Sequence, residues 1–142
     1  MKRTIVIAFA LAALVTAGTA MAQEHAVKAN VPFDFSVGNA HVPAGTYTIW
    51  STGSTSLIEI RNDSAKVTIF GSGYASDQNA QNGKLVFDKL GDRYFLREVL
   101  CSAVAMNMEL PVSKAEKNVQ KQQASLRSEN KEQVFVALNE IK

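Results

Sequence analysis

The sequence predicts a mainly β fold: a single antiparallel β-barrel or a two-sheet sandwich of about eight short strands, with one amphipathic helix near the C-terminus. Three observations predict it. Apolar and polar residues alternate from Val27 to Val37, the period of a half-buried strand. Turn-forming pairs rich in Gly, Asn, Asp and Pro recur at short intervals, as at Gly38-Asn39 and Gly91-Asp92. Only from Val112 to Leu126 does the apolar spacing change to three and four.

The first strand carries Val27, Ala29, Val31, Phe33, Phe35 and Val37 on one face, and Pro32 predicts an edge or a bend within it. Gly38-Asn39 is a two-residue hairpin turn of the primed type, so Val42 faces Phe35 and His41 faces Ser36. In HVPAGTYTIW, Pro43-Ala44-Gly45 has type I turn chemistry and leads into a strand from Thr46 to Trp50. Strands at 56–61 and 65–70 flank Asn62-Asp63-Ser64, which also matches a glycosylation acceptor but reads here as a turn. Strands at 84–88 and 93–100 form a hairpin around Gly91-Asp92 with a loop of two residues or four. Both registers put Leu85, Phe87, Tyr94 and Leu96 on one face. Alternation favours a further strand from Cys101 to Leu110, and QVFVAL, 133–138, reads as the last. Ser113-Lys114-Ala115-Glu116 is a capping box that opens a helix over 114–127, with Asn130 as its terminator. The strand aromatics, Phe70 and Phe135 among them, are mostly expected in the core. Trp50 and Phe95 fall on the opposite faces of their strands, and the helix stripe of Val119 and Leu126 is the favoured cover for both.

Lys2 and Arg3 precede an apolar run from Thr4 to Val15, and Ala20-Met21-Ala22 supplies the small residues that a signal peptidase reads. Residues 1–22 are therefore expected to be a cleaved signal peptide, and 23–142 a single β-rich domain. Thr16, Gly18 and Thr19 cut the run short of the about 20 apolar residues of a spanning helix. The expected address is the periplasm or the medium, with no stable membrane insertion after cleavage. Without Lys2 and Arg3, 13 basic residues balance 13 acidic ones, which argues against nucleic acid as a partner. Cys101 stands alone, so it is either a buried thiol or an intermolecular bridge.

No catalytic constellation is visible. No Ser lies in a Gly-x-Ser-x-Gly elbow, and His25, His41 and Cys101 have no metal-site spacing. No cofactor is expected. The polar stretch from Gly71 to Gly83 is long enough to suggest function. It lacks the Gly and Lys of a phosphate cradle, and its Asp77, Asn79, Gln81 and Asp88 stand off register for a calcium loop. The remaining readings are a solvated hairpin loop, or a rim beside a pocket with Tyr74, Asp77 and Asn79 as contacts and Trp50 nearby.

The runs VPFDFSVGNAHVPAGTYTIW and KLVFDKLGDRYFLREV resemble small secreted bacterial β-proteins with no assigned activity. Pro-Ala-Gly-x-Tyr is also similar to strand starts in secreted immunoglobulin-like and carbohydrate-associated sandwich domains. Neither resemblance carries a catalytic residue onto this chain. The expected function is a non-catalytic exported domain that binds a small apolar molecule, a glycan or an envelope protein. The alternative is a structural or assembly subunit of the cell envelope, pairing through its first strand or helix face. An enzyme ranks behind both.

Overall fold

The computed structural model describes residues 25–52, 56–126 and 131–141. The expected signal peptide, and Arg127 and Asn130 at the expected helix end, lie outside these residues. The elements are β1 (Ala26–Val31), β2 (Phe35–Val37), β3 (Ala40–Val42), β4 (Gly45–Ser51), β5 (Leu57–Asn62) and β6 (Val67–Ser72). They continue with β7 (Tyr74–Ala75), β8 (Lys84–Leu90), β9 (Arg93–Cys101), a 3-10 turn (Ser102–Val104) and β10 (Met106–Glu109). The helix α1 (Lys114–Ser125), β11 (Lys131–Ala137) and β12 (Asn139–Glu140) complete the order.

One sheet runs β12-β1-β4-β5-β6, and the other runs β11-β8-β9-β10-β7, with the β2–β3 hairpin added beside β9. The chain itself joins the sheets at both ends of this order. Gly73 alone separates β6 from β7, and Leu138 alone separates β11 from β12. Following the neighbours therefore returns to the start. The two readings of the sequence meet in one architecture, a two-sheet sandwich with barrel-like closure. Strands that bend from one sheet into the other make its corners.

The long first strand bends where Pro32 predicts, and its halves belong to different sheets. β1 pairs with β4 from Ala26 opposite Trp50 to Val31 opposite Gly45, while β2 meets β9 in parallel at Ser36 and Phe95. Phe33, at the bend, stacks on Tyr94 with ring centres 3.9 Å apart. The Gly38-Asn39 hairpin has the counted register, Phe35 opposite Val42 and Ser36 opposite His41, with Gly38 at φ +59°. In the β8–β9 hairpin Leu90 opposes Arg93, so the loop has two residues. The expected strand from Cys101 to Leu110 is broken by the 3-10 turn, which ends at Ala105 with φ +52°. β10 therefore begins only at Met106.

The core lies between the sheets. Val27, Val31, Phe35, Tyr47, Ile49, Ile60, Phe87 and Val99 are all almost wholly buried there. Burying one such side chain contributes about 1.5–3 kcal/mol. Tyr47 meets the requirement of a buried phenol by donating from its hydroxyl to the Pro43 carbonyl at 2.6 Å. Burial raises its pKa, against the opposing hydrogen bond of Asn62.

Candidate functional site

The outer face of the second sheet carries a buried ionic cluster of Asp88, Arg97 and Glu116. It originates in a β-bulge. Phe87 opposes Leu96, but Val86 opposes Glu98, so Arg97 has no partner across the pair. An extra residue shifts the alternation by one. Leu96 and Val99 therefore both face the core, and Arg97 and Glu98 both leave it.

Two covers flank these outward residues. On one side α1 lays Ala115 and Val119 over Leu90 and Phe95. On the other, the segment after β7 lays Ala80 over Val86 and Leu100. Ser76 N donates to the Asn107 carbonyl at 3.0 Å, which pins that segment to β10. The long polar stretch is thus docked against the sheet along part of its length.

Between the covers Asp88, Arg97 and Glu116 are 0%, 7% and 2% exposed. Arg97 Nε donates to Asp88 Oδ2 at 2.9 Å, and Nη1 donates to the Leu110 carbonyl at 2.7 Å. Its Nη2 donates to Glu116 Oε1. Lys131 Nζ approaches Asp88 Oδ2 to 3.2 Å from β11. Burial opposes the charge on Arg97, but its hydrogen bond to Asp88 and the two nearby carboxylates hold its pKa above the ordinary value. Burial pushes the Glu116 carboxyl up, against the pull of Arg97. Ser113 Oγ accepts from Glu116 N at 3.1 Å, so the serine half of the capping box is present. The glutamate half is not: the Glu116 carboxylate turns to Arg97, where a buried charge needs it more than the first helical turn does. Asn39 Oδ1, from the hairpin turn, accepts from Ala115 N at 3.2 Å and adds a second cap. The cluster ties β8, β9, α1 and β11 together.

The residues singled out from sequence are dispersed. Tyr74 is 72% exposed in β7, and Asp77 and Asn79 are exposed in the segment that follows. Trp50 lies in β4, in the other sheet, with the Arg61 guanidinium 4.2 Å from its ring centre. The expected helix cover holds for Phe95 but not for Trp50, because α1 packs on the second sheet and Trp50 belongs to the first. Leu126, expected in the covering stripe, is 76% exposed. His41 is exposed, and Cys101 is buried. Among the described residues no group of three or more His, Cys, Asp or Glu is arranged to hold a metal ion.

A feature that the sequence reading missed lies between the two sheets. A cleft of about 390 Å³ opens between the Gly38-Asn39 turn, β6 and the segment after β10. Val37, Ala40, Ile69, Phe70, Leu110 and Pro111 form its apolar walls. Phe70, expected in the core, is exposed, as is Phe135. Alternation carries the signal for both. Phe70 shares its face with Thr68 and Ser72, while Val67 and Ile69 pack on the core. Phe135 likewise falls opposite to Val134 and Val136.

No protein-family model matches the chain, and no curated protein or solved structure matches it. The fold and site therefore define the protein only as a β-rich sandwich of barrel-like closure, with an ionic cluster on one outer face.

Proposed function

We propose that the chain is an exported, non-catalytic binding module that receives an apolar group in the cleft beside β6. The group belongs to a small molecule, a glycan ring face or an envelope protein. The observation that carries this reading is Phe70, a large aromatic ring left 60% exposed on the wall of an apolar cleft. Large exposed apolar groups beside a concavity are a common mark of ligand contact. Export rests on the charge, apolar run and small residues of positions 2–22.

The test is binding of the apolar fluorophore 1-anilinonaphthalene-8-sulfonate by the mature protein, beside Phe70→Ser. Wild type should show saturable binding that the substitution weakens about tenfold, a difference of about 1.4 kcal/mol. Equal binding by both would sink the cleft as the site. Native mass spectrometry of protein taken from its own compartment would then supply the mass of a natural ligand.

One observation favours an assembly subunit instead. Among the described residues no strand pairs with the outer edge of β6, whose Val67–Ser72 sequence carries no charge. Such an edge accepts an added strand. A discrete oligomer, disrupted by proline at Thr68, is the outcome that reading requires. Proline at Ser36 would test folding instead, since Ser36 is buried opposite His41 and Phe95.

A further inference from the structure

The cleft beside β6 is also a gap in the strand order. β6 is the last strand of its sheet, and among the described residues no strand pairs with its outer edge. On the other side of the cleft β3 pairs with β2 and with no other described strand. Ala40, at the start of β3, and residues 69–72 of β6 both line the space. Two free strand edges therefore border one opening, where a closed barrel has paired strands.

The chemistry of the opening selects its occupant. Natural sheet edges are guarded by charges, prolines or bulges. Val67–Ser72 carries no charge and no proline, and it pairs with β5 from Val67 to Ser72 without a bulge. None of the residues lining the cleft is charged, so the cleft matches an uncharged group. The free groups along the edge are backbone N–H and C=O groups at the spacing of a β-ladder. Only another extended backbone returns both kinds along its whole length. The far wall, formed by the Gly38-Asn39 turn with Leu110 and Pro111, leaves room for a single strand. A β6 from a second copy would arrive with β5 paired behind it.

We infer that the cleft takes an uncharged, extended segment of a partner protein, which adds to the outer edge of β6 as one further strand. Alternate side chains of the segment turn inward to Val37, Ile69 and Leu110, and the others lie outside beside Thr68 and Phe70. Val37 and Leu110 belong to the core and Ile69 packs on it, so the inward side chains extend that core. β-branched residues suit the inward positions, and an aromatic or β-branched residue suits the place beside Phe70. The inference rests on the cleft reading above and narrows its ligand to one class.

The test adds the peptide acetyl-Thr-Val-Thr-Val-Thr-Val-amide to the mature protein and follows amide hydrogen exchange by nuclear magnetic resonance. Two control peptides carry N-methyl groups, one on every threonine and the other on every valine. Each control loses the donors along one edge of the strand and keeps every side chain. The parent peptide should slow exchange saturably at those amides of β6 that do not pair with β5. At least one control should bind at least about tenfold more weakly. No slowing in β6, or equal binding of all three peptides, would overturn the proposal. So would exchange in β6 that slows as the free protein is concentrated, which assigns the edge to a second copy. If 1-anilinonaphthalene-8-sulfonate binds beside Phe70 and the peptide slows nothing, the cleft stands and the added strand falls. If the peptide slows exchange and the fluorophore does not bind, the added strand stands and the general apolar site falls.

Discussion

Arg97 Nε lies 2.9 Å from Asp88 Oδ2, although Arg97 is the residue that the β8–β9 bulge leaves without a cross-strand partner. The two facts belong together. Without the extra residue the alternation would carry Val99 and Cys101 out of the core or Arg97 into it. The bulge keeps the apolar set inside and sends Arg97 to the outer face, where it meets carboxylates from β8 and α1.

Replacing Arg97 should therefore destabilise the protein more than its surface position in the strand suggests. Arg97→Met leaves Asp88 and Glu116 buried beside each other with their main cation gone, a loss of about 3–5 kcal/mol. Arg97→Lys should not rescue it, because a single ammonium cannot reach three partners in the directions that a guanidinium fork does. Urea unfolding followed by the fluorescence of Trp50, the chain's single tryptophan, measures the loss. Adding Asp88→Leu and Glu116→Leu to Arg97→Met should restore most of it, since apolar packing replaces the whole cluster. A loss below about 1 kcal/mol for Arg97→Met would place these charges in water.

Much of this fold is legible in the sequence, because turns and alternation are local signals. Gly38-Asn39 and Gly91-Asp92 set both hairpins, and Ser113 marks the start of α1. Pro32 shows the bend but not that the chain changes sheets there, because pairing partners far along the chain decide that. The bulge has no local sequence signature at Arg97, so the buried ion cluster could not be counted out in advance. Glu116 looks like the second half of a capping box until Arg97 is found beside it. Phe70 was hidden for a different reason: hydrophobicity argues for the core, while alternation argues for the outside. The cleft becomes visible only when the hairpin turn and β6 are brought together.

Gly73 should be the least replaceable of the corner residues. A Cβ there would stand 2.2 Å from the Glu109 carbonyl oxygen, which is backbone and cannot rotate away. Gly73→Ala must push β7 from β10, breaking the pairs of Tyr74 with Glu109 and Ala75 with Met108. The expected loss is about 2–3 kcal/mol, with amide exchange accelerated first at Tyr74 and Ala75. Unchanged protection at those two amides would mean that the corner relaxes elsewhere.

Cys101 should behave as a core residue rather than as a link between chains. Its side chain is buried, and even a methyl group on Gly83 would come within 3.0 Å of its sulfur. Ellman's reagent should therefore label the thiol only as fast as the protein unfolds, and completely in urea. Air oxidation should leave the folded protein without a disulfide-linked dimer. Rapid labelling of the native protein would overturn this reading and reopen the intermolecular bridge.

Stability should fall as the pH rises above the ordinary glutamate range, and Glu98 should account for part of the fall. Burial and the charge of Glu109 raise its pKa above 4.5, against the hydrogen bond of Ser76 and the charges of Lys84 and Arg97. The folded protein therefore holds the Glu98 proton more tightly than the unfolded chain does. The resulting stabilisation is fully present below the unfolded value and is lost as pH rises through the folded one. Glu116 is shifted in the same direction, so wild type alone cannot separate the two. Glu98→Gln can, because glutamine keeps the shape and removes the titration. The variant should be more stable than wild type at pH 7, and the difference should shrink as the pH is lowered toward 4.5. Urea midpoints measured across that interval provide the comparison. A difference that stays constant with pH would mean that Glu98 titrates alike in the folded and unfolded chains.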